Sequence, residues 1–221
     1  MQKFPASAPV TAVLDIPSGR VQLIAADRTD VVVEVRPGDP ARSRDVKAAE
    51  QVTVTHADGV LRIGAAEPKN QLFGPSGSVE VTVQLPAGSR VEAKAAACEL
   101  RVVGRLGDLA FEGAYQQIKV DEAASLRLAA VDGDVEVGRI TGPAVISTAR
   151  GDIKVAEAVR GTVELRTQDG NITVAAARGV SASLNAGTGH GRVGNALKND
   201  GTTELDIHAT TSRGDITAHS L

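Results

Sequence analysis

The sequence predicts an all-β fold, a β-solenoid or β-helix of short repeated coils with an irregular β-rich N-terminal part, and three observations predict it. First, a phrase of Gly, then Asp or Asn, then two apolar residues separated by one other recurs as Gly133 Asp134 Val135 Glu136 Val137, Gly151 Asp152 Ile153 Lys154 Val155, Gly170 Asn171 Ile172 Thr173 Val174 and Gly214 Asp215 Ile216 Thr217 Ala218. Second, the apolar pairs Leu109/Phe111, Leu126/Leu128, Ala144/Ile146, Val163/Leu165, Ala182/Leu184 and Leu205/Ile207 run in step with it, at intervals of 17, 18, 19, 19 and 23 residues. Third, 42% of residues are hydrophobic but only 2% are aromatic, so aliphatic columns rather than large rings must fill the interior. Self-similarity at such a period means stacked supersecondary units, none of which can bury its apolar face alone.

Taken in order, the chain opens with strand-like runs at Thr11 to Leu14, Val21 to Ala25, Val31 to Val35, Val52 to His56 and Val60 to Ile63. Asp58 Gly59 between the last two is a tight hairpin signal. Asp39 Pro40 offers a capping residue and a proline at the first helical position, which predicts one short helix over 39–50. The Pro, Gly, Asn and Ser content of residues 67–78 predicts a loop dividing two parts, a capping part over 1–75 and a repeat region over 76–221. Val79 to Leu85 then alternates as a strand, Pro86 to Ser89 turns, and Val91 opens the next strand.

Within the repeat region each of about six coils holds two segments of period-two alternation. The Gly-Asp phrase contributes the inward pairs Ile118/Val120, Val135/Val137, Ile153/Val155, Ile172/Val174, Val193/Asn195 and Ile216/Ala218. Between them lie Lys119, Glu136, Lys154, Thr173, Gly194 and Thr217, and stacking in chain order would set Lys119 beside Glu136 and Glu136 beside Lys154. In the other phrase Arg127, Glu164, Ser183 and Asp206 occupy the outward positions, while Ala110 and Val145 break the polar pattern. An antiparallel β-sandwich is the alternative, since alternation alone does not set strand direction.

No residue set reads as catalytic, cofactor-binding or metal-ligating. Gly189 His190 Gly191 Arg192 Val193 Gly194 matches a phosphate-loop pattern, but no strand-to-helix context is predicted around it. Asp108, Asp134, Asp152, Asn171 and Asp215 sit beside corner glycines, where a carboxylate ordinarily accepts from backbone N–H groups. His56, His190, His208 and His219 are scattered, with His208 and His219 flanking the last turn. Cys98, among alanines, reads as a small buried hydrophobe. Arg150, Arg160, Arg178 and Arg213 each precede a glycine, and Arg150 and Arg213 are expected to neutralise the neighbouring Asp column.

Val79 Glu80 Val81 Thr82 Val83 Gln84 Leu85 Pro86 Ala87 Gly88 Ser89, followed by the iterated Gly-Asp units, resembles the bacterial β-strand-repeat family DUF4097. The segments Ala12 to Ala25 and Ala176 to Leu184 are similar to its actinobacterial members. The resemblance implies a toast-rack-like β-helical fold, no known catalytic residues, and an adhesin label. A net charge of −3 and no basic run exclude a phosphate-binding surface, so no nucleic-acid partner is expected. No window approaches a membrane span, and the opening residues lack a secretory apolar stretch, so the expected location is cytoplasmic.

The expected function is a non-enzymatic protein-interaction or scaffold module that meets an unknown protein partner or associates with itself, with no cofactor. The alternative is a carbohydrate-active β-helix enzyme, for which a sequence with three Phe, one Tyr and no Trp supplies few sugar platforms.

Overall fold

A computed structural model describes residues 1–65, 77–115 and 117–221, without the side chains of residues 65, 114 and 115. Strands dominate it, and the chain divides into two compact units, Met1–Tyr115 and Gln116–Leu221.

The first unit is built around β2 (Thr11–Ala26), which follows the short β1 (Gln2–Pro5). Next come β3 (Asp30–Pro37), the helix α1 (Ser43–Gln51), β4 (Val52–Ala57), β5 (Val60–Ala65), β6 (Val79–Pro86) and β7 (Arg90–Tyr115). One side of β2 takes β5 along Thr11 to Asp15 and β6 along Gly19 to Ala26, both parallel. The other side takes β7, also parallel, from Thr11↔Arg90 to Ala25↔Gly104. The first long strand of the chain is therefore an internal rung, flanked on both sides by strands that come later. Its inward residues Ala12, Leu14, Ile16, Val21 and Leu23 are at most 1% exposed. β6 and β7, grouped with the repeat region from sequence, thus pair with β2 inside the first unit.

Antiparallel pairs finish this unit: β3 on β6, β1 on β3 and β4 on β5. Asp58 (φ 51°) and Gly59 (φ 74°) make the expected tight turn between β4 and β5. The loop predicted over 67–78 lies outside the described residues except at Gly77 and Ser78.

The helix starts at Ser43 rather than at Pro40, after an N-cap, Arg42, that makes no side-chain capping bond. Asp39 is not the cap because its carboxylate accepts from the Ala41 N–H at 2.9 Å, a local turn. The buried Asp45 supplies the order instead, accepting from the N–H groups of Asp39 (3.1 Å) and Ser78 (3.0 Å) and so tying α1 to the start of β6.

The second unit contains β8 (Ile118–Asp132), β9 (Val135–Ile140), β10 (Ala144–Arg150), β11 (Ile153–Ala158), β12 (Gly161–Asp169), β13 (Ile172–Ala176), β14 (Ala182–His190), β15 (Val193–Ala196), β16 (Leu205–Arg213) and β17 (Ile216–Ser220). All its described pairings are parallel, which removes the sandwich alternative and gives a β-solenoid. The predicted column Ile118, Val135, Ile153, Ile172 is in register, and the last three of these residues are at most 1% exposed.

Stacking departs from chain order at the end of the repeat. β12 pairs with β16, not β14, and β13 pairs with β17, not β15. β14 and β15 lie beyond them, on the far sides of β16 and β17. The last coil of the chain is thus inserted beneath the coil that precedes it. The 23-residue step between Ala182 and Leu205 supplies the length for this return, and the Glu204 N–H closes it on the Ser181 carbonyl at 2.9 Å.

Register shifts with the insertion. Ile207, rather than Leu205, sits beside Val163, and Ala209 sits beside Leu165. The two-residue slip leaves the inward face unchanged, because side-chain direction has a period of two. The exchange suits the residues: Ile207, Ala209, Ile216 and Ala218 are all 0% exposed, whereas Val193 on the outer coil is 46% exposed and Asn195 ends its column as a polar group. Apolar side chains occupy the covered rung, and the terminal rung carries fewer of them.

Ile216→Ala is expected to cost about 2 to 5 kcal/mol in urea unfolding, and Val193→Ala less than about 1 kcal/mol. Equal losses would contradict the stacking order.

Candidate functional site

The one constellation repeated through the second unit is the corner at which each Gly-Asp phrase turns. Gly133, Gly151, Gly170, Gly214 and Gly191 all have φ between 127° and 155°. A Cβ built on Gly151 would run into the Gly133 carbonyl oxygen, and one on Gly170 into that of Gly151. Hydrogen bonds run through the same column, from the Gly133 N–H to the Arg150 carbonyl and from the Gly151 N–H to the Asp169 carbonyl, both 2.9 Å.

The residue after each glycine forms a second ladder. The Asp134 carboxylate accepts from the Asp152 N–H (2.9 Å) and the Asp152 carboxylate from the Asn171 N–H (2.7 Å). The Asn171 side-chain oxygen accepts from the Asp215 N–H and the Asp215 carboxylate from the Arg192 N–H, each at 2.9 Å. The turn role expected for these residues is therefore realised between rungs rather than within one turn. Asn171 also donates through Nδ2 to Asp152 at 3.2 Å, separating the carboxylates of Asp152 and Asp215 with a neutral, donating group. Asp108 stands apart, 3.9 Å from Arg90.

The residue before each glycine forms a third ladder, Asp132, Arg150, Asp169, Arg213, His190 in stacking order. Arg150 meets Asp132 at 2.6 Å and Arg213 meets Asp169 at 2.9 Å. The arginines do neutralise aspartates, but those before the glycines rather than the column after them. Arg160 is at the opposite corner, donating to the Thr141 carbonyl at 3.2 Å.

A threonine three residues before the glycine completes the corner and was not singled out from sequence. Thr148, Thr167, Thr211 and Thr188 are in register. Thr167 donates to the Gly151 carbonyl (3.1 Å), Thr211 to that of Gly170 (3.0 Å) and Thr188 to that of Gly214 (2.9 Å). The spacing Thr-x-x-Gly, present four times, is the signal that identifies it.

Gly189 to Gly194 belongs to the corner of the terminal coil. A strand, β14, does precede it, contrary to the sequence expectation, but another strand, β15, follows where a phosphate loop needs a helix. Cys98 is 2% exposed, and burial, reinforced by Glu99, pushes its thiol up to about 12, which keeps it protonated and unreactive. The histidines are not brought together: His56 stacks near Phe4 with ring centroids 5.3 Å apart, His208 meets Asp206 at 3.0 Å, and His219 is on β17 between Ala175 and Ala196. Among the described residues no three His, Cys, Asp or Glu side chains form a metal-holding group, and no helix is long and apolar enough to cross a membrane.

Polar side chains cover the outward faces. Lys119 and Glu136 make the expected cross-rung pair at 2.8 Å, with Lys154 next in register. On the other sheet the row is Arg127, Val145, Glu164, His208, Asn185, the last two replacing Asp206 and Ser183 of the sequence assignment because of the two-residue slip. Glu164 pairs with Arg166 at 3.1 Å, and Asp206 accepts from Ser183 at 2.6 Å. The Ser183 hydroxyl and then His208 hold the Asp206 carboxyl below its usual range.

Gly151→Ala is expected to destabilise by roughly 3 kcal/mol or more, read as a lowered urea midpoint, since no rotamer change relieves a backbone clash. Ser183→Ala should raise the Asp206 titration midpoint in carbon-detected NMR toward the usual carboxylate value. Because the folded value is depressed, Asp206 stabilises above the unfolded value of 3.8, and that contribution disappears as pH falls through the folded one. An unmoved midpoint would show that the hydroxyl contributes nothing.

The sequence profile described as Toastrack DUF4097 matches residues 13–220. No curated protein matches the chain. Similar solved structures include a "putative adhesin" from Bacteroides fragilis NCTC 9343, 15% identical, TM-score 0.47, covering 98% of this chain and 95% of that one. Another "putative adhesin", from Parabacteroides distasonis ATCC 8503, is 12% identical with a TM-score of 0.42, covering 98% of this chain and 95% of that one. A "putative cell adhesion protein" from Clostridium sporogenes ATCC 15579 is 11% identical with a TM-score of 0.37, covering 100% and 99%.

Proposed function

The chain belongs to the Toastrack DUF4097 family, and from that premise we propose that it is a non-enzymatic, adhesin-like interaction module whose outward strand faces hold a protein partner. The observation that carries this reading is the fate of the acidic corner residues. Asp134, Asp152 and Asp215 each accept a backbone N–H from the next rung. A general acid or base must instead offer its carboxyl to a substrate. The side chains left to face a partner are those of the strand grid, spaced by the roughly 4.8 Å between neighbouring strands.

Such a grid suits binding because its backbone is held on both sides, so little conformational entropy is lost when a partner docks. Its Glu164, Arg166 and His208 are polar and partly exposed. Their pairing within the face lowers net charge without removing donors and acceptors, which favours recognition by matched polar contacts over bulk electrostatics.

The test is affinity capture from the native cell with the full chain and with a Glu164→Ala/Arg166→Ala variant. Both side chains are exposed enough for the variant to fold with an unchanged melting temperature. A partner held by the parent and depleted at least about tenfold by the variant supports the proposal. Identical capture profiles for the two proteins would contradict it.

A further inference from the structure

Among the described residues β14 pairs only with β16, leaving one side of a nine-residue strand without a neighbouring strand. Which residues face that side follows from hydrogen bonds at its start. The Ser181 carbonyl accepts from Glu204 (2.9 Å) and Leu205 (3.2 Å), so Ser181 faces β16. Ala182 faces away: its N–H donates to the Lys198 carbonyl at 2.9 Å and its carbonyl accepts from Asn199 Nδ2 at 3.1 Å. The register with β16 is unbroken from Ala182 to Thr188. Alternation therefore puts the N–H and C=O groups of Leu184, Ala186 and Thr188 on the same side as those of Ala182.

We propose that two copies of this chain pair antiparallel through these edges, about a two-fold axis at Ala186. The three outward residues are spaced for it. Ala186 would exchange both backbone hydrogen bonds with its counterpart, and Leu184 would exchange both with Thr188 of the second copy, twice over by symmetry. On the outward face Asn185 would stand opposite Gly187, whose missing side chain leaves it room; nothing lies within 4 Å of a Cβ built there.

Charge favours the same occupant. Residues 182–189 carry no ionisable side chain, so like edges meet without repulsion. Lys198 and Asn199 cover the Ala182 end of the edge, but from Leu184 to Thr188 the strand lacks lysine, proline and a bulge, devices that ordinarily keep a free strand from pairing. In the first unit the edge strand β1 carries both Lys3 and Pro5. Beside β14, the aliphatic columns end on the half-buried Leu184 and on Val193, 46% exposed, which the second copy would bring toward their counterparts. This pairing needs no other protein, so it stands or falls separately from partner capture.

Sedimentation equilibrium of the full chain, loaded from about 1 μM to about 1 mM, should show the mass rising from 22.7 kDa toward twice that value. Ala186→Pro deletes the central N–H on the open side, a position where an edge strand tolerates proline, and should hold the protein at one copy throughout. Asn185→Lys sets two ammonium groups near the axis and should weaken pairing at least about tenfold, with partial recovery in salt. If the proline variant fails to fold, the lysine variant decides. A parent that remains a single copy at the highest loading, a mass growing past two copies, or dimers undiminished in the lysine variant would each overturn the proposal.

Discussion

Each Gly-Asp corner of the second unit's solenoid works only because the backbone of one rung lies against the backbone of the next at a glycine. The approach that excludes a Cβ at Gly151 and Gly170 also brings three sets of groups into line: a threonine hydroxyl below the glycine carbonyl, an Asp or Asn oxygen under the next amide, and alternating charges before the glycine. The threonine ladder satisfies part-buried glycine carbonyls, where an unpaired acceptor costs about 1 to 3 kcal/mol. The Asx and Arg–Asp ladders are exposed, and there each ion pair contributes at most about 1 kcal/mol. The aliphatic columns supply most of the burial energy, but their alternation fixes only which residues face inward, since a two-residue slip keeps the same face. Glycine and its attendant polar residues give the stack its vertical register.

The exchange of the last two coils shows how the register tolerates a change of order. Asp215 accepts from Arg192 in the same geometry in which Asp152 accepts from Asn171, although Arg192 precedes Asp215 in the chain. The ladders depend on which rungs touch, not on which follows which. A coil rich in buried aliphatic residues can therefore be placed inside, and one ending in Val193 and Asn195 outside, without altering any corner. The first unit has a similar arrangement, with β2 held between β5 and β6 on one side and β7 on the other. In both units an interior rung is thus flanked by strands that do not neighbour it in chain order.

Alternation made inward and outward faces legible in the sequence, and Val135, Ile153 and Ile172 are buried as it requires. It carries no information on rung order, which is a tertiary choice between coils with nearly equivalent patterns; the 23-residue step to Leu205 supplies the length for the return without specifying it. The slip of Leu205 and Ile207 by two residues was invisible for the same reason, since parity survives it. The corner aspartates were legible as turn residues, but their acceptance of the next rung's amide was not, because that needs the stack. Thr167, Thr188 and Thr211 are not legible as corner residues although their spacing to glycine is constant: threonine on an inward position reads as a compromise with the core until the glycine carbonyl it serves is located. Thr148, in the same register, donates to the Arg150 carbonyl at 3.0 Å. Asp45 carried no motif at all, and its role comes from two amides, one of them at Ser78 far along the chain.

These ladders also bear on what the protein can do. Chemistry requires groups left incompletely satisfied, with perturbed protonation and access to a substrate. Here the residues that most resemble such groups are satisfied by the scaffold: Cys98 is buried and protonated, Asp152 accepts from backbone and side-chain N–H groups of Asn171, and Asp206 is held by Ser183 and His208. On the proposed reading, a fold that commits its ionisable corners to holding rungs in register leaves its outward faces and, among the described residues, the open side of β14 for recognition. Both are backbone-defined surfaces whose side chains can be exchanged without disturbing the columns beneath. Binding specificity can then be rewritten on the outside of the stack, while the glycine, threonine and Asx positions that hold the rungs together stay under steric constraint.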